Sequence, residues 1–305
     1  MGKTNNQNLA TLGLIVVQVL FGINHITSKM VLTALHPSVW AALRASSSFI
    51  VFGCILLGLR APRVALSFRK LLWIMFLAAI GIVINQSTFL TALKYTTPSN
   101  TALINCLMPV GTLFWVLLLR KERLTPTKGL GFALSFFGVL VLSNVETFNW
   151  NSKLVRGNAY AFVSVVSYSL FLALAKELFE DTTEVLFYTV VLFFFGALGL
   201  DIISVPFWHS LHPASFSGGM WFCLIFGVFG ASVLAYFMSN WALAVVESSR
   251  VSLFSYIQPL VAAFLAWIVW NDPLTLRLLL SALLVFWGLW LSALPEATAV
   301  RSLEN

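Results

Sequence analysis

The chain has 305 residues, of which 59% are hydrophobic and only 10% are charged, and its mean hydropathy is +0.92. So few charges cannot cover the surface of a soluble protein, so the composition predicts a protein embedded in a lipid bilayer. The formal net charge of +7 would suit nucleic acid, but the basic residues are sorted by loop as in membrane proteins, and we expect no nucleic-acid partner.

Ten apolar stretches follow one another, and most approach the roughly 20 residues that a helix needs to cross about 30 Å of hydrocarbon. They cover residues 9–33, 38–59, 71–93, 99–119, 129–143, 157–175, 185–206, 220–244, 251–270 and 274–294. Continuous apolar runs lack the alternation of barrel strands, so each predicts a helix. We therefore predict an all-α integral membrane protein with ten transmembrane helices.

The sequence also repeats itself at a shift of 150 residues. This shift pairs Pro109 with Pro259 and Gly138 with Gly288, with further identities on both sides of the prolines. Such internal symmetry is typical of transporters whose site lies between two halves. We predict a first five-helix repeat over 1–147, a second over 153–297 and a short tail over 298–305.

Loop charges indicate that the second repeat is inverted. Five helices per repeat is an odd number, so the second copy must enter the membrane from the opposite side. With the amino terminus inside, the inner segments carry twelve basic residues: Lys3, Arg60, Arg63, Arg69, Lys70, Arg120, Lys121, Arg123, Lys128, Lys176, Arg250 and Arg301. The outer segments carry four: Lys94, Lys153, Arg156 and Arg277. This bias predicts that both termini are cytoplasmic.

Polar side chains within the apolar stretches are the candidates for a substrate cavity. On the first helix, Gln18, His25 and Lys29 share one face, with Asn24 beside them. The full set of cavity candidates is Gln18, Asn24, His25, Gln86, Asn105, Tyr168, Tyr236, Asn240, Tyr256 and Gln258. The alternative for each is a hydrogen bond between packed helices, because an unpartnered polar group in lipid costs several kcal/mol.

Three cations could also contact a substrate: Lys29, Arg44 and Lys176. Lys29 lies near a helix end, where it could instead extend to the interface. Arg44 lies one to two turns into the second helix, where an interfacial anchor is an equal alternative.

The two matched prolines predict interrupted helices. Proline lacks a backbone donor and displaces the carbonyl four residues earlier, which belongs to Asn105 before Pro109 and to Ser255 before Pro259. One such proline most often only kinks a helix. Two at matched positions favour carbonyls that face a shared cavity, with the prolines acting as hinges.

The fifth and tenth helices carry little polarity. Gly131 and Gly138 match Ser281 and Gly288 at a spacing of seven residues. Small residues at this spacing predict close helix packing, either at the periphery of the bundle or at the contact of a homodimer.

Several classes of chemistry lack their motifs. No phosphate-cradling glycine motif, HExxH or GxSxG occurs, so we expect no ATPase, no enzyme, no cofactor and no metal site. No carboxylate falls at mid-membrane depth, which leaves His25 as the one titrating candidate there. We expect transport driven by the substrate gradient or by exchange, with proton coupling through His25 as the lesser alternative.

Taken in order, these motifs resemble the drug/metabolite transporter superfamily, and in particular its EamA-type members. The resemblance rests on the segment from Phe21 to Asn24, on Lys29, Arg44 and the two prolines, and on an acidic-x-Leu-Thr motif at 122–125 and at 272–275. It covers nearly the whole chain, although EamA members usually have tryptophan in place of Phe21. It implies alternating access around a central cavity, mostly for export, and names no single substrate.

Most side chains of the predicted cavity are neutral, which favours a small amphipathic metabolite such as an amino acid as the substrate. We therefore expect a secondary exporter in a bacterial inner membrane, with a small-molecule substrate and the bilayer as partners. The alternatives are a drug exporter, a nucleotide-sugar or sugar-phosphate exchanger and, in a different class, a receptor or scaffold that transports nothing.

Overall fold

The computed structural model describes residues 2–59, 64, 66–96, 101, 104–142, 152–270 and 276–293. The predicted tail over 298–305 and the second acidic-x-Leu-Thr motif lie outside the described residues. The described helices are α1 Gly2–Val31, α2 Pro37–Gly58, α3 Phe68–Ala78, α4 Asn85–Tyr95, α5 Met108–Leu118, α6 Pro126–Leu142, α7 Ser152–Ala175, α8 Val185–Ser204, α9 Gly218–Val228, α10 Ala235–Val245, α11 Ser248–Leu253, α12 Ile257–Trp270 and α13 Leu276–Ala293. These residues contain no strand.

Six helical segments in the described part of the chain are long and apolar enough to cross a membrane. They are Asn6–Val31, Pro37–Gly58, Phe68–Tyr95, Val155–Phe179, Val185–His209 and Gly218–Val245. Met108–Leu118 and Leu279–Ser292 are shorter apolar helices. The prediction of an all-helical membrane protein is therefore confirmed, whereas the count of ten helices in inverted repeats stays a prediction.

The surface exposes many large apolar side chains, and the interior holds polar groups beside its apolar core. Leu57, Phe68 and Leu283 are 67–78% exposed, while Arg44 and Gln86 are each 3% exposed. In water this distribution would be unfavourable, because apolar surface would be hydrated and polar groups would lose their solvation. In lipid both terms change sign, so the fold matches a bilayer as its solvent.

Two long helices have the same internal irregularities, 150 residues apart. α3 and α9 each begin after a serine N-cap, Ser67 and Ser217, whose side chain accepts from a backbone N–H three residues later. Each continues through a π-helical turn, Ala79–Ile84 or Phe229–Leu234, into α4 or α10. Both composite helices then end with an extended residue, Thr96 or Val246.

Two lysines donate hydrogen bonds to carbonyls at the C-terminal ends of these composite helices. The Nζ of Lys29 donates to the carbonyl of Leu93, and the Nζ of Lys176 donates to the carbonyls of Leu243 and Val246 at 3.0 and 2.6 Å. A cation at a helix C-terminus satisfies free carbonyls and stabilises the negative end of the helix dipole. Neither lysine faces the polar interior.

α6 and α13 pack closely on each other through small residues. A Cβ added to Gly288 would lie 2.2 Å from Ser135 Oγ, and one added to Gly131 would lie 2.6 Å from the Gly288 carbonyl oxygen. The hydroxyl of Ser135 also donates to the carbonyl of Val285 at 3.3 Å. These glycines therefore serve packing within one chain, and a homodimer contact through the same helices stays a prediction.

Candidate functional site

A cavity lies between helices of both sequence halves. It is lined by Gln18, Phe21, Asn24, His25, Arg44, Asn85, Gln86, Phe89, Asn105, Met108, Ser164, Tyr168, Leu172, Tyr236, Ser239, Val251, Ser252, Ser255 and Gln258. Eight of the ten predicted cavity residues are among them, together with Arg44. The pocket wall offers many neutral hydrogen-bonding groups beside apolar side chains, which is typical of small-molecule sites.

Among the hydrogen bonds that connect the halves around this cavity, two involve glutamine side chains. Gln258 Nε2 donates to Gln18 Oε1 at 2.6 Å, and Gln86 Nε2 donates to Tyr236 Oη at 3.4 Å. All four side chains are at most 9% exposed. In a low-dielectric interior such bonds hold helices in register, and they also leave the other polar atoms of these side chains for a ligand.

His25 is held through both ring nitrogens. Its Nδ1 lies 2.8 Å from the carbonyl oxygen of Phe21, which only accepts, so Nδ1 carries the proton. Its Nε2 lies 3.3 Å from the side-chain nitrogen of Asn105 and accepts from it. The ring meets Phe89 edge to face at 5.2 Å. These contacts fit a neutral imidazole that links α1 to the helical residue Asn105, just before the turn that precedes α5.

Aromatic rings pack around Tyr236 in the cavity wall, with Phe21 and Tyr168 in the lining and Phe193 behind it. Phe21, Tyr168 and Phe193 meet this ring at centroid distances of 6.0, 6.4 and 5.3 Å, all close to edge-on. Edge-to-face packing fixes the ring while its hydroxyl stays available for hydrogen bonding. The cavity therefore combines an aromatic surface with amide and hydroxyl groups.

Among the described residues that line the cavity, Arg44 is the one cation, and it is buried, so the alternative of an interfacial anchor does not describe it. Its Nε donates to Ser232 Oγ at 3.1 Å, and its guanidinium lies 5.6 Å from the Trp40 ring centroid. Ser232 belongs to the second π-helical turn and in turn donates to the carbonyl of Gly227. The π turn therefore positions the arginine, in keeping with the frequent use of such turns at functional sites.

Two predicted cavity residues lie elsewhere. Asn240 donates to Thr189 Oγ1 at 3.1 Å, so it makes the helix-to-helix bond that was its alternative. Tyr256 is fully buried beside Phe136, with a centroid distance of 6.5 Å, and does not line the cavity. Lys29 and Lys176 are also absent from the lining, since both extend to helix ends.

The helices are interrupted near both prolines, but the break precedes each proline. Cys106 and Leu107 form a turn, and α5 begins at Met108 with Pro109 in its first turn. In the second half, the 3-10 turn Phe254–Tyr256 precedes α12, whose third residue is Pro259. A proline in a first turn needs no backbone donor, so it favours a new helix start over a bend within one helix. Asn105 and Ser255, immediately upstream, both line the cavity.

A cluster of charges joins the halves beside the cavity. Lys128 Nζ lies 2.5 Å from Glu122 and 2.7 Å from Glu247, and the side chains of Lys128 and Glu122 are 9% and 4% exposed. Glu122 also accepts from the backbone N–H and the hydroxyl of Ser249 on α11. Val251 and Ser252, on the same short helix, line the cavity. The cluster therefore fixes one wall of the pocket.

The profile of the EamA-like transporter family matches the chain twice, over residues 8–144 and over residues 155–294. The chain belongs to this family. The resemblance noted in the sequence is thereby confirmed, and the protein is a multi-pass membrane protein of the EamA type.

This EamA-like transporter is similar to relatives whose descriptions name no substrate. The uncharacterised transporter YyaM of Bacillus subtilis (strain 168) is 30% identical over 220 residues, which are 70% of each chain. The WAT1-related protein At5g13670 of Arabidopsis thaliana is 20% identical over 312 residues, covering 92% of this chain and 82% of the relative. A solved crystal structure matches with a TM-score of 0.73 at 18% identity, over 95% of this chain and 96% of its own, and supports the fold alone.

The lining of the EamA-like pocket also includes residues outside the predicted set, among them polar ones such as Ser239 and Ser252 and a group of apolar ones. Phe89, Met108, Leu172 and Val251 face the cavity, yet an apolar residue within an apolar helix gives no contrast. The available signal was helical spacing, because Phe89 lies three residues after Gln86. Among the described residues, no group of three or more metal-binding side chains occurs.

Proposed function

We propose that the protein is a secondary transporter that exports small amphipathic metabolites such as amino acids. The main support is the cavity between the sequence halves, which has amides, hydroxyls and aromatic rings in its wall. Neutral groups suit a zwitterion or an uncharged metabolite, whereas a sugar phosphate would need several cations. In the part of the chain that the structure describes, Arg44 is the only lysine or arginine in the lining.

We further propose alternating access by two inverted five-helix repeats. Support comes from irregularities that recur at a shift of 150 residues, including the serine caps and the π turns. Two near-equivalent halves can rock so that one site faces either side of the membrane in turn. The Glu122, Lys128 and Glu247 cluster would have to separate when access opens at its end of the bundle.

The proposed location is a bacterial inner membrane with both termini in the cytoplasm. The loop charges support this orientation, with twelve basic residues on one side and four on the other. Reporter fusions after residue 305 and after residue 150 test it. The two fusions should report opposite sides of the membrane, because five helices separate the amino terminus from residue 150.

Counterflow in proteoliposomes tests the transport function. Vesicles preloaded with an unlabelled candidate solute should accumulate the same labelled solute above the level of protein-free vesicles, without ATP. A thermal-shift screen against amino acids, nucleosides and drugs selects the solutes to be used. A protein that is stabilised by solutes but moves none of them would be a receptor or scaffold, and the transport proposal would be wrong.

A further inference from the structure

Arg44 is a buried charge for which the described residues supply no counter-ion. It is 3% exposed. The ion pairs among the described residues involve Lys121 and Lys128, and none involves Arg44. The Asp201 carboxylate accepts from the hydroxyl of Ser46, at 2.9 and 3.0 Å. Burying a guanidinium without a counter-ion costs several kcal/mol, so the arrangement suits an anion that binds from the cavity.

The geometry leaves the outer end of this guanidinium for that anion. Nε is occupied by Ser232 Oγ, whose own hydroxyl donates to the carbonyl of Gly227 in the π-helical segment. For the two terminal nitrogens of Arg44, the described residues offer neither a hydrogen bond nor an ion pair. Those two nitrogens form the planar fork that binds both oxygens of a carboxylate.

A second unsatisfied group lies in the same wall. Gln86 is 3% exposed and its Nε2 donates to Tyr236, but its Oε1 has no hydrogen-bond partner among the described residues. The hydroxyl of Ser255, also in the lining, is likewise buried and unsatisfied there. A buried acceptor without a donor is unfavourable by about 1–3 kcal/mol. Gln86 therefore suits an N–H or O–H donor on the same solute.

We infer that Arg44 selects the charge of the transported solute by binding its carboxylate, and that Ser232 positions the guanidinium through Nε. This inference rests on the proposed transport function. A single cation fits a single carboxylate and disfavours both amines without a carboxylate and multiply charged phosphates. The counterpart of Arg44 under the shift of 150 residues is Phe194, within the apolar segment from Val191 to Phe195, so the repeat does not duplicate this carboxylate site.

The test compares matched solutes on matched variants. For a solute that the wild type moves in counterflow, the carboxylate, its carboxamide and its descarboxy amine are measured on wild type, Arg44→Gln, Arg44→Lys and Ser232→Ala. The wild type should prefer the carboxylate over the carboxamide by about 10- to 100-fold in kcat/KM, the range of one charge-assisted hydrogen-bonded pair. Arg44→Gln should lose this preference, and Arg44→Lys should retain part of it.

Ser232→Ala separates positioning from folding. It should raise KM for the carboxylate while leaving KM for the carboxamide nearly unchanged, a pattern that general destabilisation would not give. Arg69→Gln removes an exposed arginine on α3 and should change neither preference nor rate. An Arg44→Gln protein that folds and keeps the wild-type preference for the carboxylate would overturn the inference.

A binding measurement distinguishes a failure of the Arg44 inference from a failure of the transport proposal. If the wild type moves no solute, the same solute series is titrated in detergent by thermal shift. Carboxylate stabilisation of wild type but not of Arg44→Gln would support the role of Arg44 and reject transport. Equal stabilisation of both proteins, or none of either, would reject the role of Arg44.

Discussion

The side chains of Gln86 and Tyr236 meet in the interior, with Gln86 Nε2 donating to Tyr236 Oη at 3.4 Å, although 150 residues separate them. That separation is also the shift between the sequence halves. Under a two-fold relation a residue can touch its own counterpart only at the axis. Ser135 and Val285, again 150 residues apart, are joined by a second bond. The two contacts define the line on which the proposed pseudo-two-fold axis would run.

Tyr236→Phe is expected to weaken the contact between the halves. It removes the oxygen that accepts from Gln86 and leaves the amide nitrogen without its partner, which costs about 1–2 kcal/mol. The melting temperature in detergent and the transport rate should both fall. In a double-mutant cycle with Gln86→Ala, the two effects should be less than additive, because both changes remove the same bond. Fully additive effects would contradict the pairing.

His25→Ala is expected to abolish any proton coupling of solute transport. In the contact with Asn105 the neutral ring accepts through Nε2, and a protonated ring cannot accept there. Acidification therefore opposes this contact. If flux depends on a pH gradient in the wild type, the dependence should vanish in His25→Ala. A strong pH-driven flux that survives the substitution would contradict a coupling role for His25.

The charge cluster should be worth much more than an exposed ion pair. Glu122→Gln removes one of two carboxylates from Lys128 and one acceptor from Ser249, which we expect to destabilise the fold by about 3 kcal/mol. Glu177→Gln is the matched control, because the pair of Lys121 with Glu177 is exposed on the glutamate side and should contribute below about 1 kcal/mol. Chemical unfolding in detergent compares the two. Equal losses would mean that the cluster is not a buried network.

Because α6 packs closely on α13, replacing Gly288 with a larger residue is expected to lower the free energy of unfolding. In Gly288→Ala the new methyl group meets Ser135 Oγ at 2.2 Å and the Gly131 carbonyl at 2.5 Å. We expect destabilisation of about 1–3 kcal/mol. Gly53→Ala is the control, because no atom lies within 4 Å of its new Cβ. Alanine there should be neutral or stabilising by up to about 1 kcal/mol, since it has the higher helix propensity.

The prolines should affect movement more than folding. Alanine at 109 or 259 restores a backbone donor, so the helix can extend through the turn that now precedes each proline. We expect stability to change by about 1 kcal/mol or less and transport to fall several-fold in either variant. Surface expression and melting temperature provide the folding readout. A loss of expression equal to the loss of transport would assign the prolines to folding alone.

The general placement of the site was predictable from sequence, but the partners of individual residues were not. Helical spacing placed Gln18 and His25 on one face, and both line the cavity. The same reasoning could not separate Asn240 from them, because its partner Thr189 lies 51 residues away and on another helix. A polar residue in an apolar helix predicts a partner without saying whether that partner is a ligand or a protein group.

The π turns limited the sequence reasoning in another way. A regular helix advances about 100° per residue, so one additional residue in a turn rotates everything beyond it. Ala79–Ile84 and Phe229–Leu234 are both apolar or small and share no obvious signature. Asn85 and Gln86 lie just beyond the first turn. The spacing of the residues before this turn therefore could not predict the direction in which their side chains point.

The matched π turns also carry information about ancestry. A π turn arises when one residue is inserted into an α-helix, and here the two insertions stand at the same place in each half, 150 residues apart. The simplest history has one insertion in a single ancestral half-length gene, followed by duplication and fusion. A free-standing relative of half this length would then carry one π turn at the corresponding position of its third helix.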